Sequence, residues 1–191
     1  MSRVAALQLG AVAARQLRLL GIGRGAIAHR HRRGQLHRIF RGVYLVGHPV
    51  PPSGAIAVAA VLACGRTALI SHASAAALWG FAPEPQDAVH VLMLGGHLRG
   101  RAGLRVHRTT TLLTVDIAHV RGLPATAVIR TLFDLAASDY QGLERAVSDA
   151  HAGRLVTARA LQQAIEHRPG QPGAPALCRL VSLTRALFCN G

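Results

Sequence analysis

The chain has 191 residues, half of them hydrophobic, and 22 basic against 8 acidic side chains, for a formal net charge of +14 and a pI near 11.8. That length and apolar content serve one large domain or two small ones with packed cores, which excludes a disordered polymer. Cys64, Cys178 and Cys189 are odd in number, widely spaced and form no CxxC pair, which excludes a disulfide framework or a cysteine-based zinc site and points to a reducing, cytoplasmic setting.

In chain order, residues 4–9 read as a short helix ended by Gly10, and residues 13–20 as a second with Leu17 and Leu20 on one face. Gly21 stops it, with Ile22 packing back. Residues 24–33 read as a third helix, stopped by Gly34. Leu36–Phe40 and Val43–Val46 are short strands around the Arg41-Gly42 turn. The order helix, helix, turn, helix, ribbon is that of a winged helix-turn-helix.

Three prolines in residues 49–52 then forbid regular helix, which sets the expected boundary: a DNA-binding domain over 1–48 and an α+β domain over 54–191. In the second part, Ala55–Cys64 and residues 71–79 read as helices, with Ser71 as N-cap of the latter. Val89–Leu94 and residues 104–107 alternate as strands, joined by a basic Gly-rich loop at 95–101. Residues 126–137 form an amphipathic helix through Ile129, Leu132, Phe133 and Leu135. Leu143–Ala152 and 157–166 make a helical pair, 169–175 a Gly/Pro loop, and 176–188 a last helix. The fold class is α+β, an N-terminal winged helix-turn-helix followed by a mixed domain with C-terminal helices. The apolar stretch Ala55–Cys64 is about half of what a membrane span needs, and the N-terminus lacks the apolar run of a secretory signal.

Charge is uneven along this order. All the formally charged basic residues are arginine; a base-composition bias accounts for the missing lysine but not for the distribution. Residues 1–48 hold nine arginines and no acid, residues 49–127 six against three, and residues 128–191 seven against five. A polyanion-binding end on a nearly neutral body follows. With Ile27 pointing inward, a step of about 100° per residue puts Gly25, His29 and Arg32 roughly opposite it, with Ala28 and Arg33 flanking. Gly25, Ala28, His29 and Arg32 are therefore expected to face base edges of double-stranded DNA, the small Gly25 and Ala28 allowing close approach or contact with a thymine methyl and Arg32 forking onto a guanine. Arg15, Arg24, Arg33, Arg38 and Arg41 are expected on phosphates. The plain alternative is a solvated basic face on a small helical bundle. His29, His31 and His37 lack the spacing of two ligands on one helical face, so no metal or cofactor is expected.

These residues carry a resemblance. The pattern G-x-V-x-x-R-Q-L-x-x-L-G-I…AI…GQLHRIFRGVYLVGHP, from Gly10 to Pro49, resembles the N-terminal winged helix of the AbiEi-type antitoxins of type IV toxin–antitoxin systems. The series SHASAAALWG at 71–80, VH at 89–90, GLRVHR at 103–108, RGLPAT at 121–126 and RTLFDLA at 130–136 resembles the second, antitoxin-like α+β domain of a bacterial group of such proteins. The resemblance implies a regulator that binds promoter DNA and represses its own operon. It also implies an antitoxin acting against a nucleotidyltransferase-like toxin without a stable complex. Two departures concern the third helix: Gly23 caps it where Ser or Thr is usual, and His31 stands where an aliphatic residue is usual. Longer relatives continue into a restriction-endonuclease-like domain. Its carboxylate set has no counterpart here, which leaves a second reading, the DNA-targeting remnant of a longer endonuclease-like protein.

No catalytic residue is expected. Ser71 and His72 are adjacent in sequence, which by itself makes no nucleophile–base pair, and neither Asp116 nor Asp134 is selected as their acid. Asp134 is expected to pair with Arg130 one turn back, and Trp79 to anchor a core.

Overall fold

The structure, a computed structural model, describes residues 2–95, 101–138 and 141–183. Contacts group the chain into two compact units, Met1–Leu69 with Asp87–Thr110 and Ile70–Gln86 with Thr111–Gly191.

The first unit opens with helix α1 (Ser2–Ala6), strand β1 (Ala11–Ala13), helices α2 (Ala14–Leu19) and α3 (Arg24–Arg32), and strands β2 (Leu36–Phe40) and β3 (Val43–Val46). The strands form an antiparallel sheet in the order β1-β3-β2, and α2–α3 with the β2–β3 ribbon make the winged helix-turn-helix. Helix α2 ends in a Schellman motif: the Gly21 N–H donates to the Arg18 carbonyl and the Ile22 N–H to the Leu17 carbonyl, at 3.0 and 2.9 Å. Gly21 takes φ 78°, which a side chain would oppose. Ile22 packs on the core of Ala5, Val12, Leu17, Ile27 and Leu36.

Strand β1 corrects the sequence reading, which begins a helix at residue 13 and has no strand there. An Ala-Val-Ala segment has little strand propensity of its own; pairing with Val43–Leu45 makes it a strand. The helix expected at 4–9 stops at Ala6 for the same reason, because the chain turns through Leu9 and Gly10 to enter that pairing.

Helix α4 (Ala55–Cys64) packs on β1, β2 and β3 through its buried small residues Ala55, Ala59, Ala60 and Cys64. The compact unit therefore runs past the proline stretch at which a boundary is expected. Two arginines close the C-terminal end of α4, where carbonyls lack helical partners: Arg15 Nη1 donates to the Leu62 carbonyl at 2.6 Å and Arg101 Nη1 to the Ala63 carbonyl at 2.9 Å. Strand β4 (Ala68–Ile70) follows, absent from the sequence reading. Strands β5 (Val89–Leu94) and β6 (Leu104–Thr109) run parallel in the register Val89↔Leu104 to Leu94↔Thr109. Of the basic loop expected between them, residues 96–100 lie outside the described residues.

The second unit contains α5 (His72–Trp79), the antiparallel strands β7 (Ile117–Val120) and β8 (Leu123–Thr126), and helices α6 (Val128–Ala137), α7 (Leu143–Ala152), α8 (Ala158–His167) and α9 (Ala174–Leu183). Ile70 pairs in parallel with Ala125 of β8. The sequence reading contains neither β7 nor β8 and takes 126 as the start of a helix. Its C-terminal helix begins two residues earlier than expected, and residues 184–188 of that expectation lie outside the described residues. Helix α6 is amphipathic as expected, but its polar side is buried as well. Leu132, Phe133 and Leu135 are fully buried, and so, at less than a tenth exposed, are Arg130, Thr131 and Asp134. It is a central helix, flanked by α5, α7 and α9. Each fully buried Leu or Phe there contributes about 1.5–3 kcal/mol.

Candidate nucleic-acid interface

Helix α3 is held by one apolar contact face and one polar tie. Ile27 is buried, while Arg24, Gly25, Ala28, His29, Arg32 and Arg33 are exposed. Gly25, His29 and Arg32, with Ala28 and Arg33 flanking, are the positions that the 100° rotation assigns away from Ile27, and Arg24 is exposed at the helix start. A Cβ at Gly25 meets nothing within 4 Å, so the surface over that residue is open to close approach. At the end of α3, His31 Nδ1 donates to the Leu36 carbonyl at 2.8 Å, and its ring meets Tyr44 edge-on with centroids 5.9 Å apart. This accounts for the histidine found where an aliphatic residue is usual: it joins the helix to the first residue of the wing.

Register places the wing arginine. Arg38 pairs with Tyr44, and directly paired residues point to the same face of a sheet. Tyr44 faces α3 through His31, so Arg38 stands on the sheet face over which α3 packs, and it is exposed. Arg41 is exposed in the turn between the strands. Arg15 departs from the group, since its guanidinium is engaged by the Leu62 carbonyl. Among the described residues no ion pair involves an arginine of the first 48.

The second unit gathers its polar groups inside. Arg130 Nε donates to Asp134 Oδ1 at 2.9 Å, the pairing expected from spacing, and its Nη1 lies 3.4 Å from Asp116 Oδ2. Asp116 is 3% exposed and also receives Arg168 Nη1 at 2.6 Å and the Leu113 N–H at 3.1 Å. Sequence reasoning did not pair Asp116 with Arg168, because they lie 52 residues apart and only the fold joins them. Trp79 Nε1 donates to the Thr126 carbonyl at 2.9 Å while its ring packs on the core, the anchoring role expected of it.

Ser71 occupies the N-cap position of α5, but its hydroxyl makes no capping bond. It lies instead 3.0 Å from His72 Nδ1. Asp134 Oδ2 approaches that same nitrogen at 4.0 Å and makes no hydrogen bond among the described residues. His72 takes φ 50°, a strained conformation for a residue with a side chain. A hydrolytic triad needs the serine on one ring nitrogen and the acid on the other. Here both converge on Nδ1, so the three residues do not form that relay. Burial pushes Asp134 up to about 6, against the opposing charge and hydrogen bond of Arg130, and the Asp116 charge adds to the rise.

Residues 1–47 match the family described as "Transcriptional regulator, AbiEi antitoxin". No curated protein matches the chain. Among solved structures, the RV2827C protein from Mycobacterium tuberculosis is similar, with a TM-score of 0.57 and 17% identity over 94% of this chain and 75% of that one, a likeness of fold. No helix among the described residues is long and apolar enough to cross a membrane.

Proposed function

We propose that this protein is a DNA-binding transcriptional regulator of the AbiEi-antitoxin type. The observation that carries this reading is an acid-free winged helix whose exposed α3 face and wing arginine Arg38 belong to one side of the sheet. In this reading α3 enters the major groove. Gly25 and Ala28 allow close approach, His29 and Arg32 meet base edges, and Arg24, Arg33, Arg38 and Arg41 hold phosphates. Arg15 serves α4 instead, through the Leu62 carbonyl. We assign this chain binding rather than catalysis, a reading supported by the convergence of Ser71 and Asp134 on one nitrogen of His72.

Repression of its own operon, and antitoxin action against a nucleotidyltransferase-like toxin, belong to the same proposal. The family description over residues 1–47 supports them, with residues 54–191 as the antitoxin-like part. Binding to its own upstream DNA, measured against random duplex, should show a preference of at least about 10³-fold. Equal affinity for both overturns sequence-specific regulation. Co-expression with a nucleotidyltransferase encoded alongside should relieve that protein's toxicity, and unrelieved toxicity overturns the antitoxin half.

A further inference from the structure

The parallel pair β5–β6 carries a feature that DNA binding does not use. His107 Nε2 and His90 Nδ1 lie 3.1 Å apart. The register pairs His90 with Arg105 and Leu92 with His107, so the two histidines share one face of the strand pair, one step apart along it. Their ring planes are 24° from parallel with centroids 5.1 Å apart. With the nitrogens so much closer than the centroids, the rings meet edge to edge, nitrogen facing nitrogen. His90 is 8% exposed and His107 half-buried.

We propose that His90 and His107 form a two-histidine site for a divalent ion of the zinc class, with water completing its coordination. Two neutral rings at this distance share a single proton along the line between the nitrogens, and an ion of that class, with its longer bonds, sits to one side of that line. Zinc–nitrogen bonds of about 2.0–2.1 Å with an angle near 100° set two ligand nitrogens about 3.1–3.2 Å apart, so the separation already fits and each ring turns by roughly 40° to bring its lone pair onto the ion. Imidazole is a preferred donor for zinc, nickel and copper(II), and only the neutral ring donates. The positive charge of Arg105 is compensated at the site, because Asp87 takes its guanidinium at 3.0 Å. The sequence reading excludes a cysteine-based zinc site and a site at His29, His31 and His37. It missed this pair because the strand register, not sequence spacing, brings His90 and His107 together.

Zinc titration of the full chain by calorimetry tests this, using the wild type, His90→Gln, His107→Gln and a control in which His29 and His37 are both changed to Gln. The expected result is one zinc per chain, weakened by at least roughly tenfold in each single variant and unchanged in the control. Binding retained in both single variants, or lost in the control, overturns the site, as does a wild type that binds no zinc. A second measurement covers the event that the variants fail to fold. Histidine ¹⁵N spectra of the wild type should show zinc shifting His90 Nδ1 and His107 Nε2 before other ring nitrogens, and shifts confined to other histidines overturn the proposal.

Discussion

His31 Nδ1 donates to the carbonyl of Leu36, joining the last turn of α3 to the first residue of the wing strand β2. One hydrogen bond thus sets how the helix that would enter a groove is oriented against the ribbon that would flank it. His31→Ala should cost about 1 kcal/mol of stability, the usual net worth of such a bond. It should also weaken duplex binding although His31 touches no nucleic acid in the proposed arrangement. Urea unfolding and DNA titration of the same variant check both halves.

Two arginines separate phosphate contact from structural anchoring. Arg38→Ala should weaken binding to all duplexes alike and lower the slope of log affinity against log salt by about 1. Arg15→Ala should leave that slope unchanged. Its cost falls on stability, because the Leu62 carbonyl loses its donor. Equal salt slopes for wild type and Arg38→Ala would remove Arg38 from the interface.

Asp134 gives stability an acid-side slope of unusual sign. Its carboxyl, raised from the ordinary 3.8 to about 6, holds its proton more tightly in the folded chain than in the unfolded one. The contribution is fully present below pH 4 and is lost as pH rises through 6. It amounts to about 3 kcal/mol. Relative to Asp134→Asn, which does not titrate, the wild type should lose most of that amount, about 2 kcal/mol, between pH 4 and pH 6.5. Denaturant unfolding at closely spaced pH values reads it directly, and parallel curves for the two proteins would contradict the raised value.

Arg130 serves two buried carboxylates. Arg130→Met should cost about 3–5 kcal/mol, since it leaves buried charge uncompensated. The loss should shrink at low pH, where Asp134 takes up a proton. Thermal melts at pH 7 and pH 4.5 compare the two cases.

Gly173 marks the close approach of the chain before α9 to α6. It takes φ 87°, and a Cβ there would collide with the Phe133 carbonyl oxygen. Gly173→Ala should therefore destabilise the second unit by about 2 kcal/mol or more, combining backbone strain with a clash that cannot relax through a flexible side chain. Unfolding monitored through Trp79, which packs in the same core, reports it.

Local chemistry made several elements legible in the sequence. The stops at Gly21 and Gly34, the ribbon around Arg41-Gly42, the helix Ala55–Cys64 and the pair Arg130–Asp134 depend on turn residues, hydrophobic period or one-turn spacing. All of these act within a few residues. The acid-free arginine run was equally plain, because charge needs no fold to be counted. Tertiary structure alone decided what depends on distant partners. It made β1, β4, β7 and β8 strands by pairing segments of three or four residues, too short to show a period of their own. It buried α6 on nearly all sides, brought Arg168 to Asp116 across 52 residues, and carried the first compact unit past the prolines by laying α4 on the sheet. The same cause set His107 beside His90: a parallel register, which no spacing along one strand can encode.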